Sequence, residues 1–153
     1  MLTSKHIIEL YQITLSECRS AKLTYLKSAD KQHLPEHKRF LNLQATVRNR
    51  IYNDLLSILD EKGLKLSELF LQNHNRGEIM ISSLATEKQN AFTKAKEKDE
   101  SIIKYLFKII NVEKNTNTQK KLIRFIDKLK NSFITNQNFE KQTLIHKEEK
   151  RVG

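Results

Sequence analysis

Glycine, proline and cysteine are scarce here: 153 residues include three glycines, one proline, one cysteine and no tryptophan. A β-sandwich reverses its chain about every ten residues with turn chemistry built largely from glycine and proline, so the shortage excludes one. It also removes any glycine-rich phosphate loop. A lone thiol, Cys18, rules out an intramolecular disulfide and fits a reducing compartment. Met1 to Leu10 lacks the continuous apolar core of a signal peptide, and no stretch reaches the roughly 18 apolar residues of a membrane span. The expected location is the cytoplasm.

What is present is a normal globular balance, 38% hydrophobic and 30% charged. The formal net charge is +10, divided as +3 over residues 1–63, +2 over 64–117 and +5 over 118–153. Spread charge of this kind fits a lysine-rich solvated surface. It also supports weak contact with nucleic acid or an anionic membrane surface.

Helical periodicity dominates. In the first segment, about 4–31, Ile7, Tyr11, Leu15, Cys18, Lys22, Tyr25 and Ala29 step by threes and fours along one face, with Ser4 as N-cap. Pro35 disfavours helix at Leu34 and suits the first turn of a second segment, about 36–62. Phe40, Leu43, Val47, Ile51, Leu55 and Ile58 form its stripe, and Gly63 ends it. Residues 64–85 read as a crossover carrying Leu66, Leu69, Phe70 and Leu71, with a short helix around 77–84. The third helix spans about 86–111, with Ala91, Ala95, Ile102, Leu106 and Ile109 inward. After the polar turn Asn115–Thr118, with Thr118 as cap, the fourth spans about 119–138, placing Leu122, Phe125, Ile126, Leu129 and Phe133 inward. Residues 1–139 therefore predict one all-α domain, an antiparallel four-helix bundle with a long connection between helices 2 and 3. The charged tail, 140–153, either extends the last helix or frays.

Candidate chemistry is sparse. Di-metal bundles of the ferritin-like class need a glutamate from each of two helices and a Glu-x-x-His pair from each of the other two. No Glu-x-x-His occurs in this chain. His33-Leu34-Pro35-Glu36-His37 imitates a zinc-protease string, but that motif works on one continuous helix and Pro35 puts it at a helix boundary. Cys18 lies on an apolar stripe and reads as a small buried hydrophobe. Arg48 and Arg50, with Lys38 and Arg39, read as a solvated basic face without the interleaved aromatics that stack bases. No catalytic residue, cofactor or small-molecule substrate is assigned.

Tyr25-Leu26-Lys27-Ser28-Ala29-Asp30, followed by Pro35, Lys38, Phe40, Asn42, Ala45, Arg48 and the terminating Gly63, resembles a bacterial ferritin-like four-helix-bundle family classed as a domain of unknown function. Some of its members are associated with stress responses. The likeness is good over about 7–63, weaker over 74–110, where His74 and Arg76 need gaps, and one of pattern alone over 119–133. It implies a ferritin-like fold whose metal-ligand positions are vestigial. Where members carry inward glutamates, this chain has Lys22 and Val47, with Lys98 or Asp99 on the third helix. A cation and a valine cannot hold hard metal ions.

Lys22 then either pairs with Glu97, Asp99 or Glu100 in an ionic core layer or sits at the edge of the stripe. The function expected is a non-catalytic bundle acting through protein association, as a homodimer, in a stress-related setting. The alternatives are an atypical metal-binding protein using Glu17, Asp99 and Asp127, and a basic binder of nucleic acid or anionic membrane.

Overall fold

A computed structural model describes the backbone of residues 2–64 and 91–152 and the side chains of residues 5–64 and 94–142. Four helices account for nearly all of it: α1 (Leu2–Asp30), α2 (Pro35–Glu61), α3 (Ala91–Val112) and α4 (Thr116–Val152). Among the described residues there is no strand, and no helix is long and apolar enough to cross a membrane. The expected crossover, with its short helix and Leu66, Leu69, Phe70 and Leu71, lies outside the described residues, as do His74 and Arg76.

Helix ends follow local chemistry. Leu34 is extended, as a residue before proline must be, and Pro35 opens α2. At the other end Gly63 takes φ +79° while its N–H donates to the Asp60 carbonyl (2.9 Å) and the Leu64 N–H donates to the Leu59 carbonyl (3.0 Å). This double closure is a Schellman cap, and only glycine takes its left-handed residue without strain.

Two expected caps are corrected. Because α1 already begins at Leu2, Ser4 lies inside it. The start of α4 is capped by Asn115, whose Oδ1 accepts from the Thr118 N–H (3.1 Å), so Thr118 is a first-turn residue. Helix α4 also continues through the charged stretch to Val152.

Helix α1 is the hub, packed extensively on both α2 and α3; α3 packs on α4, while α2 and α4 meet mainly through long side chains, with few close backbone approaches. The larger apolar cluster joins Tyr11, Leu15 and Cys18 to Ile51, Leu55, Ile102, Leu106, Leu122 and Leu129. A smaller one contains Tyr25, Ala29, Leu41, Ala45, Ala95 and Phe139, with Phe40 stacked on the Phe139 ring at 4.3 Å. Buried Thr14, Thr24 and Ser28 return their hydroxyls to the carbonyls of Leu10, Ser20 and Thr24 at 2.7–2.9 Å, which lets polar residues line α1 without outside partners.

The expected stripes hold on α1 except at Lys22, and on α3 from Ala95 to Ile109, Ala91 lying outside the described side chains; α2 and α4 each differ in one respect. On α2 the inward line is Leu41, Gln44, Ala45, Arg48, Ile51, Leu55 and Ile58, and Leu43 is 58% exposed. On α4 Phe133 is only half-buried, and Ser132 takes the inward place.

Replacing Gly63 by alanine should cost about 1 kcal/mol through the left-handed backbone alone, because a Cβ there meets no atom within 4 Å. Urea unfolding of the G63A variant checks this, and an unchanged midpoint would refute the cap.

Candidate functional site

The centre of the bundle is ionic. Arg48 on α2 and Asp99 on α3 are both fully buried, with 0% exposure. The guanidinium meets the carboxylate through two bonds, Nε to Oδ1 at 3.2 Å and one terminal nitrogen to Oδ2 at 2.6 Å. Its remaining hydrogens go to Gln44 Oε1 (2.6 Å), the Gln44 carbonyl (3.2 Å), the Ser132 hydroxyl (3.4 Å) and the Tyr25 hydroxyl (3.2 Å). Tyr25 in turn donates to Asp99 Oδ2 (3.0 Å) and accepts from the Asn136 amide (2.6 Å). Its ring lies 4.5 Å from the guanidinium carbon. All four helices contribute, and the layer separates the two apolar clusters.

Such density of bonding is what a buried charge requires, since an unpaired one costs several kcal/mol. Arginine suits the role because its planar fork matches a carboxylate and it cannot shed its proton. Burial works against the Arg48 charge, but the Asp99 carboxylate, together with Tyr25 and Cys18, holds the guanidinium above its usual value. Burial pushes the Asp99 carboxyl up, opposed by the Arg48 guanidinium and the Tyr25 hydroxyl. With a permanent cation in bidentate contact, the pair is assigned as ionised.

A second polar layer closes one end. Glu113 is buried at the end of α3, with the Lys62 ammonium 2.9 Å from each of its oxygens. Tyr11 donates to it at 3.4 Å and the Asn115 N–H at 3.2 Å. Burial, then the Glu113 carboxylate, raises the Tyr11 phenol above its ordinary value; burial and Asp99 do the same to Tyr25. Cys18 is fully enclosed, and desolvation pushes its thiol up, so no thiolate nucleophile is available there.

Of the four vestigial-site positions, the structure puts only Asp99 in the centre. Lys22 is half-buried at the bundle edge, bonded to Asn49 Oδ1 at 3.2 Å and to none of Glu97, Asp99 or Glu100. Ala21 takes the inward place between Cys18 and Tyr25, while the rest of the stripe stays buried. Val47 is half-buried against the core, and Lys98 pairs with Glu17 at 3.3 Å. The expected Lys22 layer does not form; an ionic layer is built instead from Arg48, which is buried and not on a solvated face.

The atypical ligand trio does not assemble. Glu17 pairs with Lys98, Asp99 with Arg48, and Asp127 is exposed. Among the described residues no three His, Cys, Asp or Glu side chains are grouped to hold a metal ion. His33 is exposed in the linker while His37 sets its ring edge on Phe139 at 4.8 Å, so the zinc-like string is split by the helix start.

Arg48→Met should destabilise the protein by about 3–5 kcal/mol, since it strands Asp99 as an unpaired buried charge. Arg48→Met with Asp99→Leu should recover most of that loss, as apolar replacements of buried pairs do. Chemical denaturation of both variants decides, and a single substitution costing under about 1 kcal/mol would remove the pair from the centre of the argument.

A pH prediction follows from the tyrosines. Their native phenols stay protonated above the ordinary value of 10.0 while the unfolded chain releases those protons. The unfolded state then binds fewer protons, so stability falls as pH rises beyond that value. Absorbance titration should show two of the four tyrosines ionising only as helicity is lost.

No family model, curated protein or solved structure was found to match this chain.

Proposed function

We propose that this chain is a non-catalytic, ferritin-like helical bundle that acts through protein association, as a homodimer, in a stress-related role. The observation carrying the reading is the Arg48–Asp99 pair: the bundle centre, where a metal pair would be liganded in the ferritin-like class, is filled by a guanidinium whose bonds are all made internally. A fixed cation there repels metal ions and leaves no open coordination position.

The proposed topology is the ferritin-like one. Tyr11 meets Glu113 and Tyr25 meets Asp99, which supports opposite directions for α1 and α3. Arg48 meets Asp99 and Lys62 meets Glu113, which supports a shared direction for α2 and α3. Helices 2 and 3 run the same way only if the chain between them returns along the bundle, as in one-crossover bundles. Leu43 and Ile134, 58% and 64% exposed, are large apolar side chains available to a partner.

The test has two arms. Protein loaded with ferrous iron or manganese and then desalted should retain well under one ion per chain by elemental analysis. Light scattering during gel filtration should give twice the chain mass of 18.0 kDa. Two retained ions would overturn the metal-free centre, and a monomer at high concentration would overturn the dimer.

A further inference from the structure

We infer that the groove between α2 and α4 binds a compact phosphoryl-type dianion. The backbones of the two helices approach closely at only a few points, and an open groove of about 270 Å³ lies between them, lined by Asp54, Ser57, Lys121, Arg124, Phe125 and Lys128. Lys121, Arg124 and Lys128 follow one another at spacings of three and four, so they share one strip of α4. Phe125, 5% exposed, gives the groove an apolar floor.

These side chains differ from the paired lysines of the bundle in their partners. Lys62, Lys94 and Lys98 each have an acidic partner, at 2.9, 3.7 and 3.3 Å. Among the described residues no ion pair engages Lys121, Arg124, Lys128 or Asp54, although one groove holds all four. Three cations against one carboxylate leave a local excess of two positive charges, which a phosphoryl dianion neutralises. Arginine supplies a planar fork for two phosphoryl oxygens, and the lysines act as point charges beside it. The Ser57 hydroxyl bonds back to the Asn53 carbonyl at 3.2 Å, so it lines the groove without donating.

The volume lies just below the roughly 300 Å³ at which small-molecule sites begin, which fits one or two phosphoryl groups. Asp54 opposes the anion, so its removal strengthens binding.

The full chain is titrated calorimetrically with pyrophosphate and with adenosine triphosphate, and co-sedimented with phosphatidate-containing phosphatidylcholine vesicles. The three ligands distinguish a free, a nucleotide-borne and a lipid-borne phosphoryl group. Lys121→Gln, Arg124→Gln and Lys128→Gln combined should weaken pyrophosphate binding at least about tenfold, with helicity checked by circular dichroism. A charge-matched control, Lys104→Gln, Lys108→Gln and Lys114→Gln combined, should change it less than about twofold. Asp54→Asn should strengthen it. Absence of binding by the unaltered protein, equal losses in variant and control, or weakening by Asp54→Asn would each overturn the proposal.

Discussion

A guanidinium sealed from water must find every hydrogen-bond acceptor within the protein, and this requirement organises the bundle. Arg48 reaches Asp99 on α3, Tyr25 on α1, Gln44 on its own helix and Ser132 on α4. A hydrophobic contact tolerates a small axial slide, because apolar burial is not directional. A bidentate ion pair does not, since hydrogen bonds weaken steeply as distance and angle depart from ideal. The apolar clusters on either side supply most of the stabilising burial, while the polar layer fixes which turn of each helix faces which. Buried polar groups are known to set register in helical assemblies in this way.

The small residues of α1 make that arrangement possible. Ala21, Ala29, Ser20, Thr24 and Ser28 are buried and present little bulk, which allows α1 to pack closely against two neighbours at once. The self-satisfied hydroxyls of Thr24 and Ser28 add no polar demand of their own. Tyr25 can therefore stand among them with its ring in the smaller apolar cluster and its hydroxyl in the ionic layer. Glu113 with Lys62 repeats the device at one end, where Lys62 itself caps α2 and keeps part of its length in solvent.

The helices were legible in the sequence wherever apolar periodicity and end signals agreed. Pro35 and Gly63 bracket α2 because each has a backbone preference that other residues lack. The inward run of α3 could be read from Ala95, Ile102, Leu106 and Ile109, and Asp99 falls within that spacing. Arg48 reads as part of a solvated basic face, yet it is buried. Its place was nonetheless encoded: it lies seven after Leu41, four after Gln44 and three before Ile51, all buried. Choosing Leu43 and Val47 for the stripe rotated the helix enough to turn Arg48 outward. On α1 the spacing places Lys22 inward, where the structure has Ala21. Neither could be settled from one helix alone, because the partner that justifies burying Arg48 sits 51 residues away on another.

On the proposed reading, exchanging metal ions for an arginine changes what the bundle can respond to. A metal centre ties stability to ion supply, because bound metal adds free energy only when loaded. An internal cation is always present and always charged, so the register it sets is independent of ion concentration. The α2–α4 side follows a different logic. The ionic layer ties these two helices together near Ser132, while Lys121, Arg124 and Lys128 lie nearer the start of α4, where three like charges face a single carboxylate. Mutual repulsion among those cations disfavours closing the groove over them. A bound dianion would relieve that repulsion, between two helices whose backbones approach closely at only a few points.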